Sequence, residues 1–141
     1  MGEPRTAWER FEHGADIGIR GFGRTKAEAF EQAANALVAV IGEAQPASEP
    51  PLLITLEAPD DTLLLVDFLN ELLFEMTTRG WLFHRVHVTL DGHRLHASAH
   101  GGPVRFTPET AGVEVKGATY TASAVSQRAD GSWLAQCVVD V

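Results

Sequence analysis

Two acidic groups close the chain. Asp140 sets a side-chain carboxylate beside the α-carboxylate of Val141, behind an apolar run at 133–139 that reads as a buried strand. Strand-forming residues up to the last position hold both groups at a sheet edge instead of on a frayed tail. Fixed hard oxygen donors suit a divalent cation or a positively charged partner group. The plainer alternative is an Asp that keeps the strand end in water.

Six histidines raise a second metal question. Runs at 81–90 and 93–100 flank Asp91-Gly92, a strong hairpin signal. With Asp91-Gly92 as a two-residue turn, Leu90 pairs with His93, His87 falls opposite His96, and Phe83 falls opposite His100. His87, His96 and His100 then share a face with Arg85, Thr89, Arg94 and Ser98, while Leu82, Val86, Val88, Leu90, Leu95, Ala97 and Ala99 take the other. That is half-buried alternation with the histidines on the wet side. A three-histidine zinc site wants convergent imidazoles backed by acceptors, and this face supplies cations, so a solvated face is the favoured reading. Gly18, Gly21 and Gly23 lie near a strand without the dinucleotide-binding spacing. No nucleophile with an evident base partner emerges.

Composition narrows the classes further. A chain of 141 residues suits one domain with one core, at 1–141. Eleven Lys plus Arg against nineteen Asp plus Glu give a net charge of −8, which disfavours an extended phosphate-binding face and hence direct nucleic-acid binding. The single cysteine, Cys137, excludes an internal disulfide and a Cys-based zinc site, and its apolar setting suggests an inert thiol. With no apolar leader and no run long enough for a membrane span, the expectation is a soluble, cytoplasmic protein with no membrane partner.

The elements that must position these groups are two helices among strands. Thr25-Lys26-Ala27-Glu28 has capping-box form, with Phe30, Ala33, Ala34, Leu37, Val40 and Ile41 at helical spacing until Gly42. Asp60-Asp61-Thr62 caps a second helix whose stripe is Leu65, Phe68, Leu69, Leu72, Leu73 and Met76, stopped by Gly80. Residues 11–22 read as a strand, Leu52, Ile54 and Leu56 as another, and 113–127 joins 132–141 through Ala129-Asp130-Gly131. The predicted fold is α+β, with two helices packed on one face of a mainly antiparallel sheet.

Four segments in order carry a resemblance. Glu12-His13-Gly14-Ala15-Asp16, continuing through Ile17-Gly18-Ile19-Arg20-Gly21-Phe22-Gly23 and then Ala29-Phe30-Glu31-Gln32-Ala33-Ala34, resembles the opening of the archease family. Phe68-Leu69-Asn70-Glu71-Leu72-Leu73 is similar to its second helix. Glu114-Val115-Lys116-Gly117-Ala118-Thr119-Tyr120 resembles its Glu-Val-Lys-Ala-Ile-Thr-Tyr strand, and Val139-Asp140-Val141 its ending. The resemblance implies an archease-like two-layer fold and an accessory factor without catalysis of its own. Archeases assist the tRNA-splicing ligase, which joins RNA ends bearing a 2′,3′-cyclic phosphate or 3′-phosphate to a 5′-hydroxyl. They promote guanylylation of that ligase and its multiple turnover.

By the same resemblance Asp16 and Asp140 match metal-binding acids, Val141 adds its terminal carboxylate, and Lys116 matches a functional lysine. His13 is then a neighbouring or capping residue. The expected cation is Ca²⁺, or else Mg²⁺ or Mn²⁺, and GTP and RNA are reached only through the ligase. The chain departs from the family at Gly101-Gly102, where many members have Gly-Glu, in the loop 106–111, which lacks an often-present His, and at Thr121, which follows Tyr120 in place of a His. Two other classes stay open: an autonomous metal-dependent phosphoester hydrolase, which needs a substrate-sized pocket and a general base, and a chaperone-like interaction module with no metal.

Overall fold

A computed structural model of the chain describes residues 6–104 and 112–141. The hairpin β1 (Ala7–His13) and β2 (Asp16–Gly23) leads into α1 (Lys26–Ile41), β3 (Leu52–Glu57) and α2 (Asp61–Arg79). There follow β4 (Trp81–Asp91), β5 (Arg94–Pro103), β6 (Gly117–Ala118), β7 (Ala124–Gln127) and β8 (Trp133–Asp140). Every pairing is antiparallel. The α+β class holds, and the strands divide between two sheets. One has the order β1-β2-β8-β6, with β7 also paired to β8, and the other the order β3-β5-β4.

Both helices start and stop where local chemistry demands. Thr25 Oγ1 accepts the Glu28 N–H at 3.1 Å, and the Glu28 carboxylate accepts the Arg24 N–H at 3.0 Å. Asp60 does the same for α2, accepting the Leu63 N–H at 2.8 Å, and Gly80 ends that helix in the left-handed region at φ 68. The apolar stripes of both helices are buried in one continuous core, where the rings of Phe30 and Phe68 stack with centroids 6.0 Å apart. Gly21 brings α1 onto the five-stranded sheet, since a Cβ there would lie 2.2 Å from the Ala29 carbonyl oxygen. On another side of α1, Glu31 accepts the Val88 N–H at 2.7 Å and so caps part of the β4 edge.

Three expectations need correction. Residues 11–22 are not one strand, because Gly14 at φ 60 opens a two-residue turn that pairs His13 with Asp16 and folds 7–13 back on 16–23. The second hairpin turns on Gly92 and His93, so Asp91 pairs with Arg94 and Leu90 with Leu95. Gly92 has φ 59 and takes the first central position, as a type II′ turn requires. His87 therefore faces Ser98, His96 faces Thr89, and His100 faces Arg85 after an irregularity at His84. The shift is two residues, so the face assignment survives. Finally, 113–127 is strand only at β6 and β7, with Val115 buried in the core and 119–123 forming a turn.

Of the departures in sequence, Gly101 is demanded by packing, since a Cβ would lie 2.2 Å from the Leu82 carbonyl oxygen. Gly102 lies under the 43–50 loop, where a Cβ would be 2.8 Å from that of Ala47. The loop 106–111 lies outside the described residues.

Candidate functional site

The register of the five-stranded sheet decides which polar groups meet at its end. The first hairpin pairs His13 with Asp16. Ile17 pairs with Val139, and one further step sets Asp16 beside Asp140. On the far side of Asp140, Gly117 is its partner, and the Lys116 N–H donates to the Asp140 carbonyl at 2.7 Å. His13, Asp16, Asp140 and the Lys116–Gly117 link thus form one row across four chain segments. Val141 joins it by donating its N–H to Asp16 Oδ1 at 3.3 Å.

Alternation fixes the face. Gly21 and Ile19 point at α1, so Asp16, at the opposite parity, lies on the outer face, and Asp140 shares it because directly opposed residues do. His13, Asp140 and Lys116 are exposed, and Asp16 and Val141 are half-buried. Directly opposed positions bring Cβ atoms to about 4.5–5.5 Å, where like charges repel. A cation or a cationic partner group would relieve that repulsion, and the oxygen chemistry of the set fits a hard divalent ion. Among the described residues no three His, Cys, Asp or Glu side chains cluster closely enough to hold an ion. A cation here would rest on two side-chain carboxylates and a main-chain oxygen of Val141.

The outer face behind the row is stiffened. The Phe11 ring lies over Gly18, and the Arg20 guanidinium sits 4.0 Å from that ring. Arg20 also donates to Glu9 at 3.1 Å and to Gln136 at 2.6 Å, tying β1, β2 and β8 together. Lys116 is placed from α2, because Asn70 Oδ1 accepts the Ala118 N–H at 2.8 Å and Asn70 Nδ2 donates to the Ala118 carbonyl at 3.1 Å. Sequence reasoning missed Asn70 and Gln136. Asn70 stands in the segment similar to the family's second helix and is polar directly after Leu69, but neither feature names its partner at Ala118.

Two concavities adjoin the row. A hollow of about 160 Å³ borders Asp16, and a groove of about 990 Å³ runs between α2 and 112–116, with Leu73, Phe74, Trp81, Val113 and Lys116 in its walls. Neither Asp16 nor Asp140 lines the larger one. The histidines are dispersed on the three-stranded sheet. His87 is 67% exposed and contacts Glu31 at 3.1 Å, His96 meets the Thr55 hydroxyl at 3.2 Å, and the rings of His84 and His100 lie edge to face at 6.5 Å. Apart from His13, which stands in the acidic row, the histidines all lie in the β4–β5 hairpin and do not converge with that row. Burial pushes the Cys137 thiol up to about 12, as an inert core cysteine requires. Among the described residues, no helix is long and apolar enough to cross a membrane.

Fold and chain length agree with one family. The model of the Archease protein family (MTH1598/TM1083) matches residues 8–141. The archease of Pyrococcus abyssi is 37% identical over 142 residues, covering 95% of this chain and 98% of that protein. That of Pyrococcus furiosus is 39% identical over 142 residues, with the same coverage. The solution structure of Methanobacterium thermoautotrophicum protein 1598 superposes with a TM-score of 0.79 at 27% identity, over 96% of this chain and 99% of that one. A Thermotoga maritima archease, described as a possible chaperone, superposes with a TM-score of 0.66 at 21% identity, over 94% and 96%. The chain belongs to the archease family.

Proposed function

We propose that this chain is a cytoplasmic accessory activator of the tRNA-splicing ligase, promoting its guanylylation and multiple turnover without catalysis of its own. The observation that carries the reading is the row in which Asp16, Asp140 and Val141 share one exposed sheet end with Lys116. An acidic sheet end of this kind suits docking at a partner's active site. Asp16, Asp140 and a main-chain oxygen of Val141 would hold Ca²⁺, or Mg²⁺ or Mn²⁺ in its place. When bound there, the ion supplies positive charge against nucleotide phosphates. Lys116 would pair with a phosphate or with an acidic group of the ligase, and His13 would flank the acids at the rim. RNA and GTP are met only inside the ligase, in keeping with a net charge of −8.

The hydrolase reading is less well supported, because of the two acids only Asp16 borders a hollow, of about 160 Å³, and the larger groove is lined by neither. The apolar groove with Phe74, 61% exposed, in its wall favours a protein partner, whether or not a cation takes part. The test is multiple-turnover ligation by the cognate ligase of RNA ends carrying a 3′-phosphate and a 5′-hydroxyl, with GTP and divalent metal. Wild-type chain is expected to raise the number of turnovers. A ligase unaffected by it would overturn the assignment.

A further inference from the structure

The turn after β6 combines backbone strain with display of an aromatic ring. Ala122 has φ 51, the only positive value at a non-glycine position among the described residues. Such a conformation is unfavourable for a residue with a Cβ and persists where surrounding bonds enforce it. Here they are numerous. Thr119 donates its N–H and its hydroxyl to the Val138 carbonyl at 3.0 and 2.8 Å, and Thr119 Oγ1 accepts the Thr121 N–H at 3.2 Å. Ser123 donates its N–H at 3.2 Å and its hydroxyl at 2.6 Å to the Tyr120 carbonyl. Gln136 Nε2 donates to the Ala122 carbonyl at 2.9 Å, and Gln136 Oε1 is itself held by Arg20 at 2.6 Å.

What this scaffold fixes is Tyr120, which is 58% exposed. An aromatic side chain left in water on a rigid, strained backbone has given up burial in its own core. Its backbone ordering cost is already met, which is the condition under which a ring adds most to an association. The turn starts at the ladder partners of Val138 and Val139, immediately behind Asp140, and Tyr120 is four residues from Lys116. Tyr120 is three residues beyond Gly117, the partner of Asp140, which keeps its backbone within about 10 Å of the row and inside the footprint of an ordinary interface centred there.

We infer that Tyr120 is an anchor of the partner interface, its ring entering an apolar pocket on the ligase beside the opening that receives the acidic row. This rests on the ligase reading above. A protein pocket is preferred to a stacked nucleotide base because the chain carries −8, which disfavours a nucleic-acid strand across this surface.

The test is direct binding of untagged chain to immobilised ligase, comparing wild type, Tyr120→Ala and Tyr120→Phe, followed by ligation at saturating chain. Tyr120→Ala is expected to weaken binding about tenfold to thirtyfold, Tyr120→Phe to stay within about threefold, and Tyr120→Ala at saturation to reach the wild-type ligation plateau. Wild type and Tyr120→Ala binding within twofold of each other would overturn the anchor and leave the ligase reading intact. Failure of wild type to bind would sink both.

Discussion

The carboxamide of Asn70 reads the backbone of Ala118 twice, accepting its N–H at 2.8 Å and donating to its carbonyl at 3.1 Å. A side chain of α2 thereby acts as a short strand along β6 and ties the second helix to the segment carrying Lys116. Replacing Asn70 by Ala removes both bonds and leaves two backbone groups to find water. A loss of about 1–3 kcal/mol in urea unfolding is expected, with faster amide exchange at 116–119 than elsewhere in the sheet. Unchanged exchange there would show that the amide does not hold the segment.

Gly21 is the contact point of β2 with α1. Gly21→Ala puts a methyl group 2.2 Å from the Ala29 carbonyl oxygen and 2.3 Å from the Ala33 nitrogen, both main-chain atoms that cannot swing aside. About 1–3 kcal/mol of destabilisation is expected, visible by circular dichroism as a melting point several degrees lower. A variant as stable as wild type would mean that helix and sheet separate more easily than this packing implies.

Cys137 makes alkaline stability a test of core burial. Its thiol is neutral in the folded chain up to about 12, against an ordinary value of 9.0. Above pH 9 the unfolded chain loses this proton while the folded chain keeps it, so stability falls as pH rises from about 9 towards 12, by up to about 1.4 kcal/mol per unit. Cys137→Ala should show a shallower alkaline slope than wild type. Equal slopes would place the thiol in contact with water.

Calcium titration by calorimetry examines the row in the isolated chain. Wild type is expected to bind, Asp16→Ala and Asp140→Ala each to bind at least tenfold more weakly, and Lys116→Ala to bind no more weakly than wild type. Wild-type calcium affinity in both acid variants would remove the row as the ion's seat.

Both helices were legible from sequence because their signals are local. Thr25, Asp60 and Gly80 act within one turn of themselves, and the stripes need only a helical period. The first hairpin was hidden because His13-Gly14-Ala15-Asp16 reads as part of a continuous β-rich run until Gly14 adopts a positive φ. The second was found two residues out of register, since Gly92 opens its turn where Asp-Gly patterning places it second. Segment 113–116 lacks a strand because Val113 bonds to Val40 and Lys116 to Asp140, partners set by the tertiary fold. Asp16, Lys116 and His13 were picked out through family resemblance, and Asp140 with Val141 through chemistry as well. Their common row follows from ladder register. Asn70 and Gln136 stayed hidden because their partners lie 48 and 14 residues away.

If the acidic row acts on the ligase's own activation, its effect precedes any contact with RNA. The most direct measurement is the rate at which the purified ligase becomes covalently guanylylated from labelled GTP, without RNA. It would be made alone and with wild-type chain, Asp16→Ala, Asp140→Ala or Lys116→Ala, each checked for folding. Wild type is expected to accelerate guanylylation and the folded acid variants to do so little or not at all, with Lys116→Ala also impaired. Equal acceleration by wild type and both acid variants would contradict that role of the row.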